Sequence, residues 1–387
     1  MAISAAAAAA AALSFPRALP SPLQPRRRRR RRSAEPPACA HSERGVTFDP
    51  GSAFYRSDSA AGRDLAVLAA TLHRRAAGPS APFLCLDAMC GCGVRALRYL
   101  AQVGADFVWA NDASEALRPV IVGNLSRFER APDRRWAVSH LDATRLLSER
   151  YLRREYFDVI DVDSFGGDAA YIRAALLALR IGGLLYLTST DWRSARGYGS
   201  RRWCCAGSCY SGISHYSIVL LHNGKQDGIS NYGFICHCKS CGQSRTFGFD
   251  ELGQITCGCA DKIDPDSITV VGPLWTGPLH DTTFLTEMLS LATEWGWANT
   301  IENGVSLEKL LDTMIEESDS RLPPGYIRLD EIASRAKVNS PPLGTLINSL
   351  RKEGYAACRS HIGANAIKTN CPIECCLDVA QEIRNLR

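Results

Sequence analysis

A chain of 387 residues with 46% apolar side chains can bury the cores of about two or three domains, which excludes a fibrous or wholly disordered protein. No apolar run approaches the roughly 18 residues of a membrane-spanning helix, so a soluble protein with no membrane partner is expected. The formal charge of +5 belongs to the N-terminus: without Arg17 and the run Arg26 to Arg32, 37 basic residues face 40 acidic ones, and overall basicity ceases to argue for nucleic acid.

Residues 1–40 carry those eight arginines among Ala, Ser and Pro, with no acid before Glu35. That composition cannot pack a core and reads as an organelle transit peptide, which predicts a chloroplast address with mitochondrion as the alternative. The seven-arginine block also suits a nuclear address or a nucleic-acid arm. Beyond it the chain alternates strands and helices. "FLCLDA" reads as a strand, "GVRALRYLAQVG" as a helix, "FVWAND" as a strand, "SEALRPVIVGNLSRF" as a helix and "WAVSHLDA" as a strand. "YFDVIDVD" follows as a strand, "AYIRAALLALRIGG" as a helix and "LLYLTST" as a strand. Such alternation predicts a doubly wound α/β domain, a parallel sheet with helices on both faces and ligands beyond the carboxyl ends of the strands.

The first strand ends at Asp87, and "AMCGCG" is a turn of small residues that lets backbone approach a ligand at the start of the next helix. Cys90 and Cys92 are read there as small residues permitting that approach. Asp112, nineteen residues past Gly93, closes the second strand where a carboxylate accepts ribose hydroxyls. Asp142 and Ala143 close the third and suit an adenine edge, although Asp142 equally suits the N-cap of "ATRLLSERYL". A dinucleotide and S-adenosylmethionine both fit this layout.

The fourth strand separates them. It ends in Asp163-Ser164-Phe165-Gly166. The lone pair of an exocyclic base amine is delocalised into the ring, so a methylating enzyme needs a carboxylate to accept its N–H bonds and an aromatic face to hold the base. Asp163 and Phe165 are the candidates. The alternative is that Asp163 caps "DAAYIRAALLALR" and Phe165 packs beneath it. A little further on, "DWRSARGYGSRRW" interleaves Arg193, Arg196, Arg201 and Arg202 with Trp192, Tyr198 and Trp203, which suits phosphate contact and base stacking or simply an exposed loop.

Cys238 and Cys241 form a C-x-x-C pair, and 15 residues separate them from Cys257 and Cys259. Two thiolate pairs across a short hairpin predict a structural zinc site, with Cys236 or His237 as substitute ligands and disulfides as the alternative. No role is assigned to Cys204, Cys205 or Cys209. "GPLWTGPLHD" reads as a turn-rich loop, and Phe284 to Thr300 and "SLEKLLDTMIEES" as helices. "YIRLDEIASRAKVNSPPLGTLINSLRKEGYAACRSH" has the layout of a winged helix-turn-helix, with Lys337, Arg351, Lys352, Arg359 and His361 as a basic face.

Taken together, "FYRSDSAAGRDL", "LDAMCGCGVRALRY", "ANDASEALRPVIVGNL", "HLDATRLL", "FDVIDVDSFGG", "GGLLYLTSTD", "GPLWTGPLHD" and "SPPLGTLINSLRKEGYAACRSH" resemble the tRNA (guanine-26-N2)-dimethyltransferases, from Phe54 nearly to the end. The resemblance implies a class I (Rossmann-like) S-adenosylmethionine-dependent methyltransferase domain with a zinc knuckle and a winged-helix-like C-terminal domain. It implies cofactor binding by Arg63, Arg95, Asp112, Asp142 and Ala143, with Asp87 grouped beside them, and action of Asp163 on the guanine amine. Arg63 or Arg95 would clamp the cofactor's carboxylate. The partner implied is tRNA, with no protein partner. Domains are expected at 41–230 (catalytic), 231–285 (zinc) and 286–387 (tRNA-binding).

Ser164 stands where the family usually has proline. Between Asp191 and Gly224 the chain is shorter than the family pattern, with "SIVLL" as a candidate final strand. An organellar plant-type member with a shortened catalytic domain is therefore expected. A catalytically impaired RNA-binding protein that keeps the zinc and C-terminal modules is the alternative, and an NAD-linked dehydrogenase a third, disfavoured by the Asp163 motif.

Overall fold

A computed structural model describes residues 40–385 except 80, 129–134, 165–169, 190–215, 222–230, 258, 260–266 and 303–304. The transit-peptide reading, Phe165, the arginine–aromatic stretch and Cys204, Cys205 and Cys209 lie outside the described residues.

The chain enters through a hairpin, β1 (His41–Glu43) and β2 (Val46–Phe48), and a long helix, α1 (Ala60–Ala77). The alternating run follows as β3 (Leu84–Asp87), α2 (Val94–Arg98), β4 (Phe107–Asn111), α3 (Arg118–Leu125), β5 (Trp136–Ser139), α4 (Ala143–Leu152), β6 (Phe157–Ser164), α5 (Ala170–Ala178) and β7 (Leu179–Ser189). A last strand, β8 (Tyr216–Leu221), contains "SIVLL". The six-stranded sheet has the order β5-β4-β3-β6-β7-β8, parallel throughout except that β8 runs antiparallel along β7. Connections run outward to β4 and β5 on one side of β3 and to β6 and β7 on the other. The order therefore reverses between β3 and β6, and such a switch point opens a crevice at the strands' carboxyl ends.

Central parallel strands are covered on both faces, which explains why β6 is buried along nearly its whole length. One face packs with α1 and α2 around Leu68, Leu97 and Tyr186, and the other with α4 and α5 around Leu146, Ile160 and Ala175. The helix expected through Gly183 stops sooner. Phe157 pairs with Leu179, the register then slips, and Val159 pairs with Leu184, so 180–183 form a bulge turned by Gly182 at φ +81° instead of a last helical turn.

After the sheet come β9 (Tyr232–Cys238), β10 (Ser244–Phe247) and β11 (Ile268–Trp275), a small antiparallel sheet ordered β10-β9-β11. Next are α6 (Thr282–Glu294), the short pair β12 (Ile301–Glu302) and β13 (Val305–Ser306), and α7 (Leu307–Glu316). Leu285, Met288, Leu291, Leu307 and Leu311 from α6 and α7 join the core on the α1 face of the large sheet, so packing crosses the division expected at residue 286. A separate core belongs to β14 (Ile327–Arg328), α8 (Leu329–Ala336), α9 (Leu343–Lys352), β15 (Ala357–Arg359), β16 (Ala366–Thr369) and α10 (Ile373–Asn385), with Ile332, Leu346, Leu350 and Cys376 at its centre. No described helix is long and apolar enough to cross a membrane.

Candidate active site

The turn after β3 is held open by backbone. Gly93, at φ +82°, is the N-cap of α2, a conformation that a side chain would strain. Asp87 is fully buried and accepts the amide of Ala96 at 3.1 Å. Its other oxygen has no hydrogen-bond partner among the described residues. Asp112 is half-buried at the end of β4 and takes the amides of Gly91 (3.0 Å) and Ser114 (2.9 Å), which orients the carboxylate against the glycine turn while leaving it lone pairs for a hydroxyl. Asp142 is exposed and accepts the Arg145 amide at 3.0 Å, so the cap is formed, and Ala143 is buried as the first residue of α4.

Asn111, unmarked by any sequence motif, staples these loops. Its amide nitrogen donates to the carbonyls of Ala88 (3.0 Å) and Leu141 (2.9 Å), while its oxygen accepts from Ser139 and from the Leu141 amide. A wholly buried amide at a strand's carboxyl end is the signal that could have marked it.

Across the crevice, β6 presents acids. Asp161 pairs in register with Asp87 of β3, and both are fully buried. Burial pushes both carboxyls above the ordinary range, Asp87 well above it, with the Asp161 charge adding to the effect on Asp87 and the Asp163 charge to that on Asp161. Arg95 of α2 reaches Asp161 at 3.3 Å and Asp163 at 3.1 Å. The hydroxyls of Thr188 and Tyr99 donate to Asp163 and Asp161 respectively. Burial alone would raise the Asp163 carboxyl, but the Arg95 charge and the Thr188 hydroxyl outweigh it and hold the group below its usual range, ionised near neutral pH. Asp163 is also the one acid of the three with substantial exposure, 37% of its side chain against none for Asp161. Asp87, Arg95 and Asp163 are thus brought into one cluster with Asp161 and Tyr99, both overlooked in the sequence.

Arg63 is placed differently from the expected clamp. Its guanidinium is paired with Glu43 of β1 (Nε at 2.9 and 3.0 Å) and donates to the Arg56 carbonyl at 2.9 Å. Glu43 also accepts from Tyr55 (2.8 Å) and Arg98 (3.1 Å), and Arg98 pairs with Asp64 at 2.6 Å. Arg63, Glu43, Asp64 and Arg98 are all buried.

The four cysteines meet at one end of the small sheet. Cys238 and Cys259 sulfurs are 3.6 Å apart, Cys241 and Cys257 3.4 Å, and Cys257 and Cys259 3.3 Å, too far for S–S bonds. A tetrahedral thiolate site with about 2.3 Å metal–sulfur bonds needs separations near ~3.8 Å. Cys236 is outside the cluster, and His237 instead faces the Ser244 hydroxyl at 2.9 Å.

This knuckle is gripped by the C-terminal region. Arg335 of α8 donates to the carbonyls of Ser240 (3.0 Å) and Lys239 (3.2 Å), and the Ile373 amide donates to Gln243 at 2.8 Å. Gly242 has φ +84°, and a Cβ there would sit 2.6 Å from Arg335 Nε. Gly242→Ala should therefore cost about 1–3 kcal/mol, read as a lowered midpoint in urea denaturation.

The "GPLWTGPLHD" loop also acquires a structural role. Asp281 caps α6 through the Phe284 amide at 3.0 Å, and His280 reaches Glu317 at 3.3 Å. Buried Glu317 also meets His361 (2.9 Å) and Lys368 (2.8 Å), which together hold its carboxyl far below the ordinary range against the opposing effect of burial. Lys368 Nζ lies on the same oxygen as both imidazoles, which makes the group an ion-pair hub. Of the expected basic face, Arg351 is paired with Glu316 at 3.1 Å and His361 with Glu317, while Lys337, Lys352 and Arg359 are exposed.

Comparison with known proteins places the chain in a family and identifies its fold. The sequence model of the family described as N2,N2-dimethylguanosine tRNA methyltransferase matches residues 38–217 and 221–381. The tRNA (guanine(26)-N(2))-dimethyltransferase of Methanothermobacter thermautotrophicus is 28% identical over 362 residues, covering 83% of this chain and 90% of that protein. Its counterpart in Thermococcus kodakarensis is 25% identical over 370 residues, covering 85% and 93%. The solved complex of Trm1 from Pyrococcus horikoshii with S-adenosyl-L-methionine superposes with a TM-score of 0.67 at 22% identity, over 88% of this chain and 99% of that one. At that identity the likeness establishes the fold.

Proposed function

Because this chain belongs to the N2,N2-dimethylguanosine tRNA methyltransferase family, we propose that it methylates the exocyclic N2 amine of guanine 26 in tRNA, yielding N2,N2-dimethylguanosine. S-adenosylmethionine supplies an electrophilic methyl group when bound. The turn at Gly91 and Gly93 and the oriented, half-buried Asp112 fit such a ligand: the glycines admit its backbone-side approach and Asp112 has lone pairs left for ribose hydroxyls. Asp142 and Ala143 would border the adenine. Arg63 and Arg95 already hold carboxylates, and the amino-acid end of the ligand would share the N–H groups that those pairs leave over.

The observation that carries the reading is Asp163: an ionised, partly exposed carboxylate at the end of β6, beside the reversal in strand order. A carboxylate there accepts the N–H bonds of the guanine amine, returns electron density to nitrogen, and takes up the proton released on methylation. Phe165, two residues on, would stack on the extruded base. Transfer is direct and in line, with no covalent enzyme intermediate. Incubating the full chain with methyl-labelled S-adenosylmethionine and unmodified tRNA, then analysing nucleosides, should give labelled N2-methylated guanosine from position 26. Label in another nucleoside, or in none, would overturn the assignment.

The cysteine cluster is read as a structural zinc site, since four thiolates leave no open coordination position. Metal analysis should find about one zinc per chain, and a strong chelator should lower the thermal midpoint and weaken tRNA binding before it affects cofactor affinity. The helix pair α8 and α9 with the β15–β16 hairpin is read as a winged helix holding tRNA phosphates through Lys337, Lys352 and Arg359. The arginine-rich N-terminus is read as a chloroplast transit peptide, and the chain as a plant organellar member.

A further inference from the structure

We propose that the small β10-β9-β11 sheet beside the cysteine cluster is a stacking platform for an unpaired, base-exposed stretch of the RNA substrate. The inference rests on the tRNA reading above and deepens it. Alternate residues of a strand share a face, and so do residues paired across neighbouring strands. Tyr232, Phe234 and Cys236 of β9 therefore lie on one side, joined there by Trp275 of β11, opposite Tyr232, and by Arg245 of β10, opposite Cys236. By the same alternation His237 belongs to the other side, where it lies among the charges of Glu331 and Arg335 on α8. The C-terminal region thus packs on the far face and not on the aromatic one.

Four rings on this side form two edge-to-face pairs. Tyr232 meets Trp275 at 5.4 Å between centroids and 85°, and Phe234 meets Phe249, from the short 3-10 helix Phe249–Gln254, at 5.3 Å and 79°. Such a pair fixes the orientation of both rings and leaves a flat face open. Trp275 is pinned further, its Nε1 donating to the Pro278 carbonyl at 3.0 Å. Tyr232 is 45% and Phe249 43% exposed, two large aromatic surfaces facing water from one small sheet. Arg245 beside them is exposed and pairs with no carboxylate among the described residues. Oriented rings with a cation alongside match the chemistry of a single strand, in which every base has a π face and the linking backbone is anionic. Asp250 and Glu251 follow Phe249, which puts the phosphates at the Arg245 end. The platform also adjoins the helix pair read as holding tRNA phosphates, because Arg335 of α8 grips the knuckle carbonyls of Lys239 and Ser240.

The test compares full-length wild type with Tyr232→Ala, Tyr232→Phe, Phe249→Ala and Arg245→Ala. It measures binding of unmodified tRNA by fluorescence anisotropy across a salt series, binding of S-adenosylmethionine by calorimetry, and self-association by sedimentation. Tyr232→Ala and Phe249→Ala should weaken tRNA binding about 5- to 100-fold with an unchanged salt slope, whereas Tyr232→Phe, which keeps the ring, should stay within about twofold of wild type. Arg245→Ala should bind more weakly with the slope reduced by about one, as expected for a lost phosphate contact. Cofactor Kd should stay within about twofold of wild type throughout, since the sheet lies outside the cofactor crevice. Unchanged tRNA affinity in both alanine variants of the rings, with wild type methylating tRNA, overturns the platform and leaves the functional reading standing. Wild-type self-association that the same variants abolish also overturns it, by giving the face to a second copy of the chain. Should Tyr232→Ala fail to fold, Phe249→Ala, at the rim of the sheet, decides alone. Wild-type protein that binds no tRNA brings down the functional reading and this inference together.

Discussion

Asp163→Asn is expected to lower the single-turnover rate of guanine methylation by about 10²- to 10⁴-fold while cofactor affinity stays within about threefold of wild type. Asparagine keeps the shape and one accepting oxygen but loses the negative charge and the capacity to take a proton. The variant therefore isolates charge from packing. A factor of 10³ corresponds to about 4 kcal/mol of transition-state stabilisation, within reach of one carboxylate in a partly shielded site. Folding should be little affected, because Arg95 retains fully buried Asp161 as its other partner and Thr188 can still donate to the amide oxygen. Quench-flow with labelled cofactor, alongside calorimetry, measures both quantities. Full activity in Asp163→Asn would remove the catalytic role, and loss of cofactor binding in proportion to rate would make the residue a ligand of the cofactor.

The largest effect on stability is expected from Arg98→Met. Arg98 is wholly buried, bridges Glu43 at 3.1 Å and Asp64 at 2.6 Å, and lies 5.3 Å from the Trp297 ring centroid. Methionine fills much of the volume but leaves two buried carboxylates short of a cation, so the loss should be about 3–5 kcal/mol, read from urea denaturation at pH 7. The pH dependence has a definite sign. Burial alone would raise the Glu43 carboxyl, but Arg63 and Arg98 outweigh it and bring the group below its ordinary value of 4.5. Its ion pairs therefore stabilise the fold above the unfolded value, and that contribution disappears as pH falls through the lowered native one. The gap between wild type and variant should accordingly narrow on acidification below about pH 4.5, because protonation relieves the unpaired carboxylates. A gap independent of pH would mean that lost packing, rather than unbalanced charge, sets the cost.

What could be read in the sequence was whatever local pattern determines. Apolar runs alternating with helical periodicity foretold β3 to β7, and the cysteine spacing foretold which four sulfurs converge. The end of α5 was misplaced because the register slip at Phe157 is set by the neighbouring strand and not by the residues of the helix. Asp161 was hidden inside an apolar run, where alternation gives no hint that a charged side chain has a partner. Its partners, Arg95 and Tyr99, come from another element more than sixty residues earlier. Glu43 and Asn111 went unremarked for the same reason: a buried polar group reveals itself through distant contacts that only folding supplies. Helices α6 and α7 read as amphipathic, yet nothing in their periodicity says which core they join.

Glu317 fastens three stretches of chain with one carboxylate: the loop before α6, the end of α7, and the hairpin formed by β15 and β16. To swing that hairpin away, the protein would have to abandon a shielded anion, so the joint resists bending. Helices α6 and α7 pack on the large sheet and the hairpin belongs to the C-terminal core, so a tether of this kind should make the two cores melt as one cooperative unit.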